Sequence, residues 1–225
     1  MKFEELDELF DSATIKPSFD YIHIILALYI FGELSKEEGI GRYRLKEELM
    51  IGSGTVKSLI TKLNKKKQFI KVIITNNQKK GHVLTKKGQL FLNKIKEKIP
   101  ILKEGDLSKF RDIIIEAEDL KAYMSLIKDA APNITNGIAQ RDAAIKINGS
   151  GATCLVFNGN KFVFPTLSKV GSEMEQVEIN DRIQSYFKEQ LIDIELDKND
   201  VLIVGLGESI EKARLASLNA ALTLI

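Results

Sequence analysis

The stretch from Gly52 to Lys98 constrains the fold more than any other part of the chain. Gly52 and Ser53 supply a turn and a cap, after which Val56, Leu59, Ile60 and Leu63 recur at helical spacing. The run FIKVIIT, residues 69–75, then reads as a strand, residues 76–81 as a turn and residues 82–84 as its return. Thr85 is placed to cap a last helix to about Lys98, with Phe91, Leu92 and Ile95 as its buried face. Upstream, Ser18 after Pro17 is the expected cap of a helix over residues 19–34. That helix is apolar on nearly every side, so it is central to its domain or partly buried in a dimer. A short helix over residues 45–50, with Leu45 and Leu49 on one face, precedes the glycine turn.

Helix, short helix, turn, helix and then a basic-tipped hairpin is the order of a winged helix-turn-helix. A recognition helix buries one stripe and offers short polar and basic groups to a major groove. With Val56, Leu59, Ile60 and Leu63 inward, Ser53, Thr55, Lys57, Ser58 and Thr61 can reach base edges. Lys62, Lys65, Lys66 and Lys67 are better placed for phosphates, as are Lys79 and Lys80 on the wing. Arg42 and Arg44, leading into the short helix, can clamp the flanking backbone. His82 beside the wing glycine is read as a surface or strand-packing residue and not as a pH switch.

Charge supports the same reading. The formal net charge is only +2, but residues 40–98 hold sixteen Lys/Arg against three acids, +13, and the remainder holds seventeen against twenty-eight, −11. A polyanion partner for that block is expected. Double-stranded DNA is favoured over RNA, because no aromatic stacking platform interleaves the lysines.

The motif GSGTVKSLITKL followed by VLTKKGQLFL resembles the winged-helix domain of many archaeal transcriptional regulators. Leu84-Thr85-Lys86-Lys87-Gly88 matches the "LTxxG" entry to their last helix, although they often carry a glycine where this chain has Lys67-Gln68. Taken whole, the chain resembles an archaeal family that joins a winged helix to a C-terminal domain of uncharacterised function. The runs GIAQRDAAIKINGSGATCLVF and GLGESIEKARLASLNAAL carry that likeness. It implies a second domain similar in fold to the small "GAD" insert of some aminoacyl-tRNA synthetases, and it implies no activity.

The expected fold class is therefore α+β. A winged helix-turn-helix over residues 1–100 and a short linker at 101–106 lead to a two-layer α+β domain with a mainly antiparallel sheet over 107–225. In that second domain strands are expected at residues 110–115, 139–147, 153–157, 162–164 and 201–205. Helices are expected at 119–128, 180–191 and 208–224, with turns at Asn148–Gly151 and, of type I′, at Asn158-Gly159.

Two features there could bind an anionic small ligand. On a strand, Arg141 would share a face with Ala143, Ile145 and Ile147, and needs either a protein carboxylate or a bound anion. Gly149 and Gly151 could bring N–H groups toward that anion or simply form a hairpin turn. Gly205, Gly207 and Ser209 lie between a strand and a helix, where a phosphate could sit or a tight turn could be needed. The third glycine of GxGxxG is absent, with Ile210 in its place, and no P-loop lysine follows.

An enzyme is not expected. Both histidines, His23 and His82, lie in the first half, and the sole thiol, Cys154, sits in an apolar run. The carboxylate pairs Glu173/Glu175 and Asp193/Glu195 read as solvated positions. No cofactor and no metal are expected. A single cysteine fits a reducing cytoplasm, the acidic start MKFEELDELFDS is unlike a signal peptide, and no apolar run reaches the roughly 20 residues of a membrane span. The expected protein is a cytoplasmic, dimeric, DNA-binding transcriptional regulator whose second domain senses a ligand or mediates assembly. The alternatives are an RNA- or protein-binding winged helix on an assembly platform, and an enzyme acting on a nucleotide or phosphorylated metabolite.

Overall fold

A computed structural model describes residues 3–11, 17–33, 39–75, 78–114, 119–165 and 177–225. It is a mixed α+β structure that divides into two compact units, Met1–Lys96 and Glu97–Ile225.

In the first unit, a short turn of helix α1 (Glu4–Asp7) precedes α2 (Tyr21–Gly32). Ten of the twelve residues of α2 are buried, so this helix is the centre of its unit. It starts later than its apolar run suggests, because Asp20 and not Ser18 is the N-cap: Asp20 and His23 close a reciprocal capping box. Then come α3 (Arg42–Leu49) and α4 (Ser53–Lys65), separated by Met50, which turns the chain in the left-handed region, Ile51 and the N-cap Gly52. Ser53 is thus the first helical residue and not the cap. Val56, Leu59, Ile60 and Leu63 form the buried stripe of α4, as their spacing requires.

Strands β1 (Ile70–Thr75) and β2 (Gln78–Leu84) pair antiparallel, with a register irregularity at Ile73/Ile74. Residues 78–81, expected in the turn, already belong to β2. Ile40 bridges His82 on the far side of β2 through two backbone bonds of 2.9 Å. The hairpin hands over to α5 (Lys86–Lys98) at Thr85. The Thr85 hydroxyl accepts from Gly88 N at 3.1 Å and donates to Gln68 O at 2.6 Å, tying the start of α5 to the turn before β1. A methyl at Gly88 would fall 2.1 Å from the Phe69 carbonyl oxygen, so the glycine of the LTxxG element lets helix and strand backbones touch.

The second unit is built on an antiparallel sheet in the order β3-β4-β7-β5-β6, from Ile101–Gly105, Lys121–Ile127, Val201–Gly207, Gly151–Phe157 and Phe162–Val163 respectively. Helices α6 (Ile138–Lys146) and α8 (Ile210–Leu222) pack on one face. On the other, α7 (Asp181–Gln190) and two 3₁₀ turns at Leu107–Lys109 and Arg111–Ile113 cover a core that includes Phe110, Leu126, Leu155, Phe187 and Val204.

Four expectations are corrected here. Residues 101–105, read as a linker, are β3: Ile101 packs on the core and Gly105 is buried. Residues 110–114, read as strand, lie in or beside 3₁₀ turns, while Ile115 is outside the described residues. Residues 121–127, read within a helix, form strand β4; six of its seven residues are buried on both faces, which erases the alternation that marks a strand. Residues 139–147, read as a strand, lie in helix α6 and its C-cap Ile147, where Ala139, Ala143 and Ala144 favour the helix and Gln140 and Ala144 are buried one turn apart.

The β5–β6 connection also differs. It is an Asx-type loop in which the Asn158 side chain accepts from the N–H groups of Asn160 and Lys161. Asn180 and Ser209 cap α7 and α8 with their side chains. No helix among the described residues is long and apolar enough to cross a membrane.

Candidate nucleic-acid interface

Helix α4 presents one polar stripe because its apolar residues claim the opposite side. Ser53, Lys57, Thr61 and Lys65, four apart, are exposed, with Thr55 and Ser58 half-buried beside them. The hydroxyl of Thr55 meets that of Ser18 at 2.7 Å, which brings the chain before α2 to the first turn of α4. Thr61 donates to Lys57 O at 2.8 Å, so its hydroxyl keeps only acceptor capacity toward a base edge. Gly52 offers no side-chain cap, and among the described residues no side chain claims the first-turn N–H groups. The ammonium groups of Lys57 and Lys65 make no hydrogen bond or ion pair among the described residues.

The C-terminal half of the same helix is engaged differently. Lys62 donates to Leu9 O at 2.6 Å and to Asp11 O at 3.1 Å, and Lys66 donates to Glu8 O at 3.0 Å. Lys67 is 9% exposed and pairs with Glu8 at 2.5 Å. Farther along the unit, Lys94 pairs with Glu5 at 3.2 Å. The acidic segment over residues 3–11 therefore folds onto the end of α4. Burial, and then the charge of Lys66, pull the Lys62 pKa down, with Asp11 opposing. The hydrogen bond from Lys67, and then its charge, hold the Glu8 carboxyl below the usual carboxylate range.

The segment is anchored by apolar contacts as well. Leu6 and Leu9 are fully buried, worth about 1.5–3 kcal/mol each. Phe10 packs against Phe19 and Tyr21, and the Tyr21 hydroxyl donates to Asp7, pushing the Tyr21 pKa up to about 12. The sequence reading missed this element, although Phe3, Leu6 and Phe10 at helical spacing among acids were its signal.

The remaining basic residues are dispersed. On α3, Arg42 donates to the Tyr43 hydroxyl at 3.0 Å with its guanidinium 4.9 Å from the ring centre, and Tyr43 is 68% exposed. Arg44 pairs with Glu48 at 3.6 Å. Lys80 is exposed on β2; Lys79 shares that strand, and its side chain lies outside the described residues.

The anion site read in the second unit is not assembled. Arg141 is exposed on α6 and pairs with Asp142 at 2.8 Å, so no apolar strand face holds its guanidinium. A methyl at Gly205 would fall 2.1 Å from Ser217 N, at Gly207 2.5 Å from Ala213 N, and at Gly149 2.5 Å from the Ala216 methyl. Helix α8 already fills the space beside these glycines. Gly151 has φ +130 beside Arg141, at the start of β5. Ser209 caps α8, and Glu208 just before it, paired with Lys212, together with Glu211 in the first turn, repels an incoming anion. Burial pushes the Cys154 thiol up to about 12, so it stays protonated. Glu173 and Glu175 lie outside the described residues, and Glu195 offers only its backbone carbonyl, to Lys128. Among the described residues no group of three His, Cys, Asp or Glu is placed to hold a metal ion.

Two family models match the chain. The one described as "PH0730-like, N-terminal domain" matches residues 24–90, and the one described as a domain of unknown function (DUF4443) matches residues 119–224. Among solved structures, the hypothetical protein PH0730 from Pyrococcus horikoshii OT3 is similar at a TM-score of 0.64 and 21% identity. The likeness covers 92% of this chain and 93% of that one, and it speaks for the fold alone. A comparison with curated proteins gives no match.

Proposed function

We propose that this chain, which resembles PH0730 in fold over 92% of its length, is a cytoplasmic DNA-binding transcriptional regulator of winged-helix type that works as a homodimer without catalysing a reaction. In this reading α3 and α4 are the helix-turn-helix, β1 and β2 the wing, and the second unit senses a small ligand or mediates assembly. The observation that carries it is the exposed stripe Ser53, Lys57, Thr61, Lys65 on α4, inside a block of charge +13. Short hydroxyl side chains and a free lysine are the groups that read base edges in a major groove. In a two-fold dimer the two stripes would meet half-sites about 34 Å apart.

Binding of the full-length chain to genomic fragments from its own host tests the reading. Enrichment of discrete promoter fragments, lost in Lys57→Glu with the melting temperature unchanged, is the expected result. Uniform recovery of all fragments, or enrichment that survives Lys57→Glu, overturns it. The exposed Arg42–Tyr43 pair favours a second reading, because a guanidinium-backed aromatic ring can stack on an unpaired base. Preference for a structured RNA over duplex in direct competition would support that reading.

A further inference from the structure

The lysines of α4 and its C-terminal end fall into two groups that the charge pattern alone does not separate. Lys57 and Lys65 are exposed, and their ammonium groups have no protein partner among the described residues. Lys62, Lys66 and Lys67 are held by the carbonyls of Glu8, Leu9 and Asp11 and by the Glu8 carboxylate. A phosphate approaching those three cations would have to replace acceptors already at hydrogen-bond distance. It would also have to dislodge a segment whose Leu6 and Leu9 are fully buried.

Resting on the reading of α4 as the nucleic-acid face, we infer that residues 3–11 act as a built-in polyanion that ends the contact surface of the duplex. The segment occupies the three C-terminal cations. The duplex is engaged through Ser53, Lys57, Thr61 and Lys65, while Lys62, Lys66 and Lys67 serve the fold. A basic run that looks like a continuous phosphate track is thus divided between an internal partner and an external one.

The test uses the full-length chain and a mixed-sequence duplex of about 30 base pairs, with affinity followed as salt rises from about 50 to 200 mM. Each lysine charge that neutralises phosphate, whether bonded to it or lying beside it in the groove, contributes about 0.9 to the slope of log affinity against log salt. Lys57→Gln and Lys65→Gln are each expected to lower that slope by about 0.9 and leave the melting temperature unchanged. Lys62→Gln and Lys66→Gln are expected to leave the slope unchanged and lower the melting temperature. Lys66 is exposed, so its variant keeps the test informative if Lys62→Gln fails to fold. A slope that falls as much for Lys66→Gln as for Lys57→Gln overturns the inference and leaves α4 as the nucleic-acid face. A slope insensitive to all four substitutions, or no duplex binding by the wild-type chain, overturns that face itself and the inference with it.

Discussion

His23 stands where a capping box ordinarily holds Glu or Gln, and its Nδ1 accepts from the Asp20 backbone N–H at 3.0 Å. That bond requires the unprotonated nitrogen. Burial lowers the His23 pKa from its ordinary value of 6.5, and the nearby Asp20 charge only partly offsets it. The unfolded chain therefore binds the proton more readily than the folded one. Above about pH 6.5 the histidine is neutral in both states; as pH falls through that value toward the lower folded pKa, stability is lost. His23→Gln keeps an acceptor at the same place and removes the titration. Its melting temperature should fall less than the wild type's between about pH 7 and 5, with stability near neutrality within about 1 kcal/mol. Parallel curves for the two proteins would show that His23 does not carry the acid sensitivity.

At the scale of elements, the junction between α4 and β1 turns on Gln68, which adopts φ +58 and is exposed. This is the region where the resembling domains often carry glycine. A side chain in the left-handed region costs roughly 1–2 kcal/mol, part of which glycine returns as entropy of the unfolded chain. Gln68→Gly should raise stability by about 0.5–1 kcal/mol in chemical denaturation, and a loss would mean that Gln68 has a packing role.

The same scale shows what the residues disclosed. Amphipathic elements were readable: α4 from its stripe, α5 from Thr85, and α7 within the helix expected over residues 180–191. Elements buried on both sides were not, because β4 lacks a polar face to betray its period. Helix α6 failed for the opposite reason: Ile145 and Ile147 with Arg141 suggested an alternation, but the alanines decide for helix. For the candidate site, the exposed half of α4 was legible in the pattern. The held half was not, since Lys62, Lys66 and Lys67 meet residues more than fifty positions away in the chain.

On the scale of the molecule, the charge divides with the two units. Met1–Lys96 holds eighteen Lys/Arg and eleven acids, +7, and Glu97–Ile225 holds fifteen and twenty, −5, which sum to +2. On the proposed reading the acidic second unit repels DNA and leaves the first to set orientation on it.

The glycines at 205 and 207 carry a consequence for how the second unit opens. They bring α8 into backbone contact with β7, which has β4 on one side and β5 on the other and is buried along its whole length. A seam in which the two backbones touch gives a few residues no room to open on their own. In hydrogen–deuterium exchange, the amides of β7 should be the slowest of the second unit, exchanging only when that unit unfolds as a whole. Those of β3, at the sheet edge, should exchange through smaller openings. Equal rates in the two strands would mean that the unit's last-opening nucleus lies elsewhere.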